Sequence, residues 1–149
     1  MPAGLFGKSG YLAAAIQKPF VMKKEKIHLE YPLSATSKAV IWSAISTPSG
    51  LENWFADKVQ ATEKHFSFRW GKTETRQAEV VNVRTYSFIR FRWDDETDPK
   101  CYFEFRMNSN ELTGDFTLEI TDFAEPDETD DIRSLWDSQI ETLRRTCGM

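Results

Sequence analysis

Two histidines, His28 and His65, and two cysteines, Cys101 and Cys147, are the side chains with metal-binding or nucleophilic potential. The cysteines form no CxxC pair. With only two histidines beside them, a Cys/His zinc site has little support, so neither a metal nor a cofactor is expected. Two widely spaced cysteines fit a reduced, cytoplasmic setting better than a Cys101–Cys147 disulfide. His28 lies on the polar side of an alternating segment and His65 opens another, so both read as exposed strand residues rather than catalysts. No glycine-rich phosphate loop follows a strand, and no GxSxG elbow is present. Glu104, Arg106, Asp115 and Glu119 fall on the outer faces of neighbouring segments. There they read as cross-strand charge pairs worth a few tenths of a kcal/mol each, not as an acid/base pair. Arg69, Arg90 and Arg92 form either a small basic patch or, more simply, a ladder with Glu104. No Asp, Glu or His falls on an inward strand phase, so no catalytic residue is assigned.

These residues must be positioned by one domain. The chain has 149 residues, 40% apolar and 13% aromatic, enough to bury a core without disulfides. Aromatic content this high argues against disorder. Nineteen basic against 23 acidic residues give a net charge of −4, against the basic face that nucleic-acid binding requires. No apolar run reaches the roughly 20 residues of a membrane span. Residues 1–24 carry four lysines and no acid, with a short apolar stretch from Tyr11 to Ile16. That stretch is too short for a secretory signal. The segment reads as an N-terminal extension, or as the product of a start upstream of Met22. A start at Met22 removes Lys8 and Lys18 and takes the charge from −4 to −6. The domain is expected over residues 25–149. Residues 122–131 hold six acids and no base, which reads as a solvated connection.

From residue 25 the pattern alternates. Ile27, Leu29, Tyr31 and Leu33 share one face at period two, with Pro32 near the strand end. Ile41, Trp42, Ala44 and Ile45 fit a short helix. Thr47-Pro48 reads as a second helix start, threonine capping and proline at the first helical position. Strands follow. Phe66, Phe68 and Trp70 alternate with polar residues, as do Ile89, Phe91 and Trp93. The same holds for Cys101, Phe103, Phe105 and Met107, and for Phe116, Leu118 and Ile120. The facing of the β-rich stretch 75–85 stays open. Ile132, Leu135, Trp136, Ile140 and Leu143 then recur at helical spacing, with acids crowding the start and Arg144 and Arg145 near the end. The expected fold is α+β: a curved antiparallel sheet of six to seven strands around a long C-terminal helix, with two short helices after the first strand.

A sheet wrapped round one helix leaves space at its open end. Trp54, Phe68, Trp70, Phe91, Trp93, Phe103, Phe105, Phe116, Leu135 and Trp136 are the candidate lining for a small hydrophobic ligand there, with Tyr31 as a polar anchor. The alternative is that they fill the core.

The order of elements resembles the helix-grip fold of the START-like superfamily, also called SRPBCC or Bet v 1-like. The segment Ala39-Val-Ile-Trp42-Ser-Ala-Ile-Ser-Thr47-Pro48-Ser-Gly-Leu51-Glu-Asn-Trp54-Phe55 is similar to one found in the branch named after the activator of the heat-shock chaperone ATPase. Ile41-Trp42, Thr47-Pro48, Leu51 and Trp54-Phe55 fall at that branch's spacing. Ala78-Glu79-Val80 resembles its Gly-Glu-Val strand, and Phe88 to Trp93 its following strand. The resemblance covers roughly residues 25–147. It implies lipid carriers, hormone binders, cyclases or cochaperone modules, since a fold does not dictate a function. Three functions are expected in descending order: non-enzymatic binding of a hydrophobic or lipid-like ligand, a protein-interaction module with a protein partner or a second copy, and a cyclase- or dehydratase-type enzyme.

Overall fold

The computed structural model describes residues 23–34 and 37–149; the expectations for residues 1–22 lie outside them. The chain runs β1 (Glu25–Leu33), α1 (Lys38–Ser46), α2 (Pro48–Leu51), β2 (Lys58–Thr62), β3 (His65–Trp70), β4 (Glu74–Arg84), β5 (Phe88–Trp93), β6 (Phe103–Ser109) and β7 (Phe116–Ala124). A 3-10 turn (Pro126–Glu128) then leads into α3 (Thr129–Cys147). The seven strands form one antiparallel sheet in the order β1-β7-β6-β5-β4-β3-β2. The helices lie on its apolar face, as the alternation demands. No helix among the described residues is long and apolar enough to cross a membrane.

Local chemistry explains where the helices start and stop. The Ser37 hydroxyl caps α1 by accepting from the Ala39 N–H at 3.1 Å. Thr47 closes one helix and opens the next: its hydroxyl donates to the Ser43 carbonyl at 2.7 Å and accepts from the Gly50 N–H at 3.0 Å, with Pro48 in the first helical position. The two helices meet so closely that a Cβ on Gly50 would lie 1.9 Å from the Ser43 carbonyl oxygen. Gly50→Ala is therefore expected to lower stability by about 3 kcal/mol, because the added methyl meets only backbone atoms of Ser43 and Ala44, which cannot yield by a rotamer change. Urea denaturation of the two proteins measures it.

The long helix follows its sequence pattern. Asp130 and Asp131 lie in the first turn of α3 and Arg144 and Arg145 in the last, matching the helix dipole. Gly148 adopts the left-handed conformation, φ 69°, and its N–H returns to the Arg144 carbonyl at 3.0 Å. The helix buries Ile132, Leu135, Trp136, Ile140 and Leu143, as its periodicity requires, and also Gln139.

Strand β4 resolves the facing left open in the sequence. Its register against β5 shifts between Val80 and Asn82. Val80 pairs with buried Phe91 on the inner face, whereas Asn82 pairs with Arg90 on the outer face. The extra residue, Val81, is a β-bulge.

Several outer-face expectations need correction. Asp115 lies in the turn before β7 rather than on a strand face. Arg90 does pair with Glu104, at 2.9 Å, and Arg106 joins that carboxylate at 3.4 Å. Arg69 and Arg92 take no part in this ladder. His28 and His65 are exposed, and both cysteines are free thiols.

Candidate functional site: the aromatic interior and its open end

Of the eleven candidate residues, Trp54, Phe68, Trp70, Phe91, Phe103, Phe105, Leu135 and Trp136 are buried, while Tyr31, Trp93 and Phe116 are half-buried. Most of the buried rings meet around Phe55, a residue absent from the candidate set. Its ring centroid lies 5.1–5.8 Å from those of Trp54, Phe68, Trp70, Phe103, Phe105 and Trp136. The irregular link from α2 to β2 delivers Phe55 into the middle of the sheet's concave face. Its backbone is fixed there by two buried donors, Trp70 Nε1 at 2.8 Å and Gln139 Nε2 at 3.0 Å, both bonding its carbonyl. Trp54 Nε1 donates to the Ala44 carbonyl at 2.8 Å. Among the described residues, every buried side-chain nitrogen and oxygen has a partner. The centre of the interior is thus occupied by side chains.

At one end of the interior β1 and α3 begin and β5 and β7 finish. A stack of rings leads there. Phe91 lies on Phe103 at 4.9 Å, and Phe103 on Trp93 at 4.6 Å. The Arg76 guanidinium covers Trp93 at 4.0 Å and is held by Asp95, with Nη2–Oδ1 at 2.7 Å and Nε–Oδ2 at 3.2 Å. Arg76 stands on the inner face because it pairs in register with buried Phe68. Lys24 closes the same rim through a 2.7 Å ion pair with Glu96.

An inward carboxylate stands at this end too, which corrects the expectation that the inner face holds no acid. Asp122 pairs in register with buried Ile27. Its Oδ2 accepts from Trp136 Nε1 at 3.0 Å and its Oδ1 from the Phe123 N–H at 2.8 Å. Burial raises its pKa to about 6, opposed by those two hydrogen bonds and by the charges of Arg76 and Lys24. The acidic stretch is consequently less solvated than its composition implies: Asp122 faces inward and Glu125 is buried.

Tyr31 and Phe116 lie apart from this end, on neighbouring strands beside α3. The Tyr31 hydroxyl donates to Asp137 at 2.6 Å, and burial together with that carboxylate raises the phenol's pKa. Its polar handle is therefore already engaged. Trp42, the one tryptophan outside the interior cluster, packs edge-on against Tyr86 at 6.3 Å.

Phe55 carried a weak signal in sequence, since it follows Trp54 in a link without periodicity. Asp122 carried a stronger one. It continues the period-two row of Phe116, Leu118 and Ile120, but its charge and its acidic neighbours disguise it.

A model of the START-like superfamily domain matches residues 21–149. No curated protein matches the chain. Among solved structures, the chain is similar to BfR322 from Bacteroides fragilis, determined by solution NMR, at 65% identity over 86% of this chain and 94% of that one, with a TM-score of 0.62. It resembles the Aha1 dimer from Colwellia psychrerythraea at 16% identity over 80% and 92% of the two chains, TM-score 0.65. DynU16, from the dynemicin biosynthetic locus, matches at 19% identity over 83% of this chain and 47% of that one, TM-score 0.67. The last two likenesses concern the fold.

Proposed function

Because the chain belongs to the START-like superfamily, we propose that it is a non-enzymatic binding domain for a small hydrophobic or lipid-like ligand held between the sheet and α3. The observation that carries this reading is the ring stack from buried Phe91 through Phe103 to half-buried Trp93. Phe55 holds the centre closed, so the ligand's apolar body rests on Trp93 and Phe103 at the open end. Arg76 rotates off the indole to admit it. Its contact with Trp93 and its pair with exposed Asp95 each contribute about 1 kcal/mol or less, so a ligand that buries the ring offsets their loss. Asp122 offers an inward acceptor at that end, suited to a hydroxyl or amine head on an otherwise apolar molecule.

A thermal-shift series with fatty acids, sterols and polyaromatic compounds tests the reading. A ligand at 100 times its Kd adds about 2.7 kcal/mol, or roughly 5–10 °C for a chain of this size. Trp93→Ala is expected to remove most of that shift, measured against the variant's own unliganded midpoint. No shift with any class, or an undiminished shift in Trp93→Ala, would refute it.

A cyclase- or dehydratase-type enzyme is the second reading, and Asp122 alone favours it. A carboxyl group with a pKa near 6 beside an aromatic cleft can release and recover a proton close to neutrality. Recovery of the bound compound chemically changed after incubation, as read by mass spectrometry, would favour catalysis over binding. The cochaperone-like reading draws on the fold it shares with the Aha1 dimer. The acidic connection supports it less than the sequence implied, since Asp122 and Glu125 are not displayed to a partner.

A further inference from the structure

The outer face of the sheet carries a second concavity, on the side away from α3. The Val81 bulge and the β5–β6 loop flank an open concavity of about 290 Å³ bordered by Val81, Asn82, Arg90, Arg92, Pro99, Cys101 and Tyr102. The two arginines there differ. Arg90 bonds Glu104 at 2.9–3.0 Å, and its guanidinium carbon lies over the Tyr102 ring, 4.0 Å from the centroid. Arg92 is half-buried and makes no ion pair or side-chain hydrogen bond among the described residues. Glu79 stands opposite it in the strand register, yet no bond forms between them. Glu104 is shared by Arg90 and Arg106 and so is not available to Arg92.

The Arg92 guanidinium, bonded to no carboxylate among the described residues, keeps its donors available to an anion at this concavity. Its planar fork matches a carboxylate or phosphate oxygen pair. Asn82 adds a donor and an acceptor, while Val81 and Pro99 supply apolar walls. β-Bulges recur where a sheet must re-aim a side chain beside a site. We propose that this concavity binds a small organic anion, a carboxylate or phosphate monoester on a compact ring, with Arg92 as its charge partner. The volume suits a body of about ten heavy atoms, near the lower end of ligand pockets. This site lies on the opposite face of the sheet from Trp93 and stands or falls separately from the interior one.

Titration of the full chain with benzoate, phenyl phosphate and inorganic phosphate, followed by amide NMR, tests the proposal. Saturable shifts are expected at Val81, Asn82 and Tyr102, with benzoate and phenyl phosphate separating the two anion chemistries. Arg92→Gln is expected to weaken binding at least about tenfold, as loss of a charge-assisted hydrogen bond requires. Arg92→Lys should keep part of the affinity, which separates loss of the charge from a folding defect. Arg69→Gln, on the exposed face of β3, should leave it unchanged. Shifts that do not saturate, equal binding of inorganic phosphate, or undiminished affinity in Arg92→Gln would each overturn the proposal.

Discussion

Phe55→Ala is expected to destabilise the protein by about 3–5 kcal/mol, the range for removing a buried aromatic ring. For a chain of this size that is a drop of about 10 °C or more in midpoint. The cost should sit at the upper end for a physical reason. Six aromatic neighbours are anchored on different elements, so they cannot close together over the vacancy. The backbone carbonyl that receives Trp70 and Gln139 remains, so the link should keep its course and a dry hole should result. Such a hole takes up benzene-sized molecules. Denaturant unfolding with and without benzene measures both effects. A loss under 1 kcal/mol would mean that Phe55 is not the centre of the core.

The second large effect concerns pH. Asp122 has a folded-state pKa near 6 against an ordinary 3.8, so between those values the folded protein holds a proton that the unfolded chain has released. Stability contributed by this group therefore falls as pH rises through about 4 to 6, and above that range the buried charge costs about 2–3 kcal/mol. Glu128, raised by burial and by Asp131, acts in the same direction. Acidification from pH 7 to about 5 is expected to raise the melting temperature. In Asp122→Asn the Asp122 share of that rise disappears, because an amide does not titrate, while Trp136 can still donate to the amide oxygen. Melting curves across the range read the slope, and an identical slope in wild type and variant would contradict the assignment.

Much of this fold was written in the alternation of its residues. Strands β3, β5, β6 and β7 each repeat an apolar side chain every second position, and α3 repeats one every third or fourth, so their inward faces follow without further information. Thr47-Pro48 announced the break between α1 and α2 because capping is local chemistry. The bulge in β4 was not legible: Val80, Val81 and Asn82 contain no glycine or proline, and the register shift is settled by pairing with β5. Phe55 was missed because the link it occupies has no period. The site at the open end was only half legible for a related reason. Trp93 follows from its strand, but Arg76, Asp95 and Asp122 come from three separate parts of the chain, and only the assembled sheet brings them to one end of the interior.

The strand order has a consequence for how the chain is made. β1 leaves the ribosome first among the strands and pairs with β7 alone; His28 and its partner Thr121 are 93 residues apart. Strands β3 to β7 each zip onto the one just synthesised, whereas β1 waits, its apolar row of Ile27, Leu29 and Leu33 uncovered, until nearly the whole polypeptide has emerged. Closing so long a loop late in assembly slows completion. The nascent protein is thus most open to adhesion in the interval before residues 116–124 arrive to cover the waiting edge.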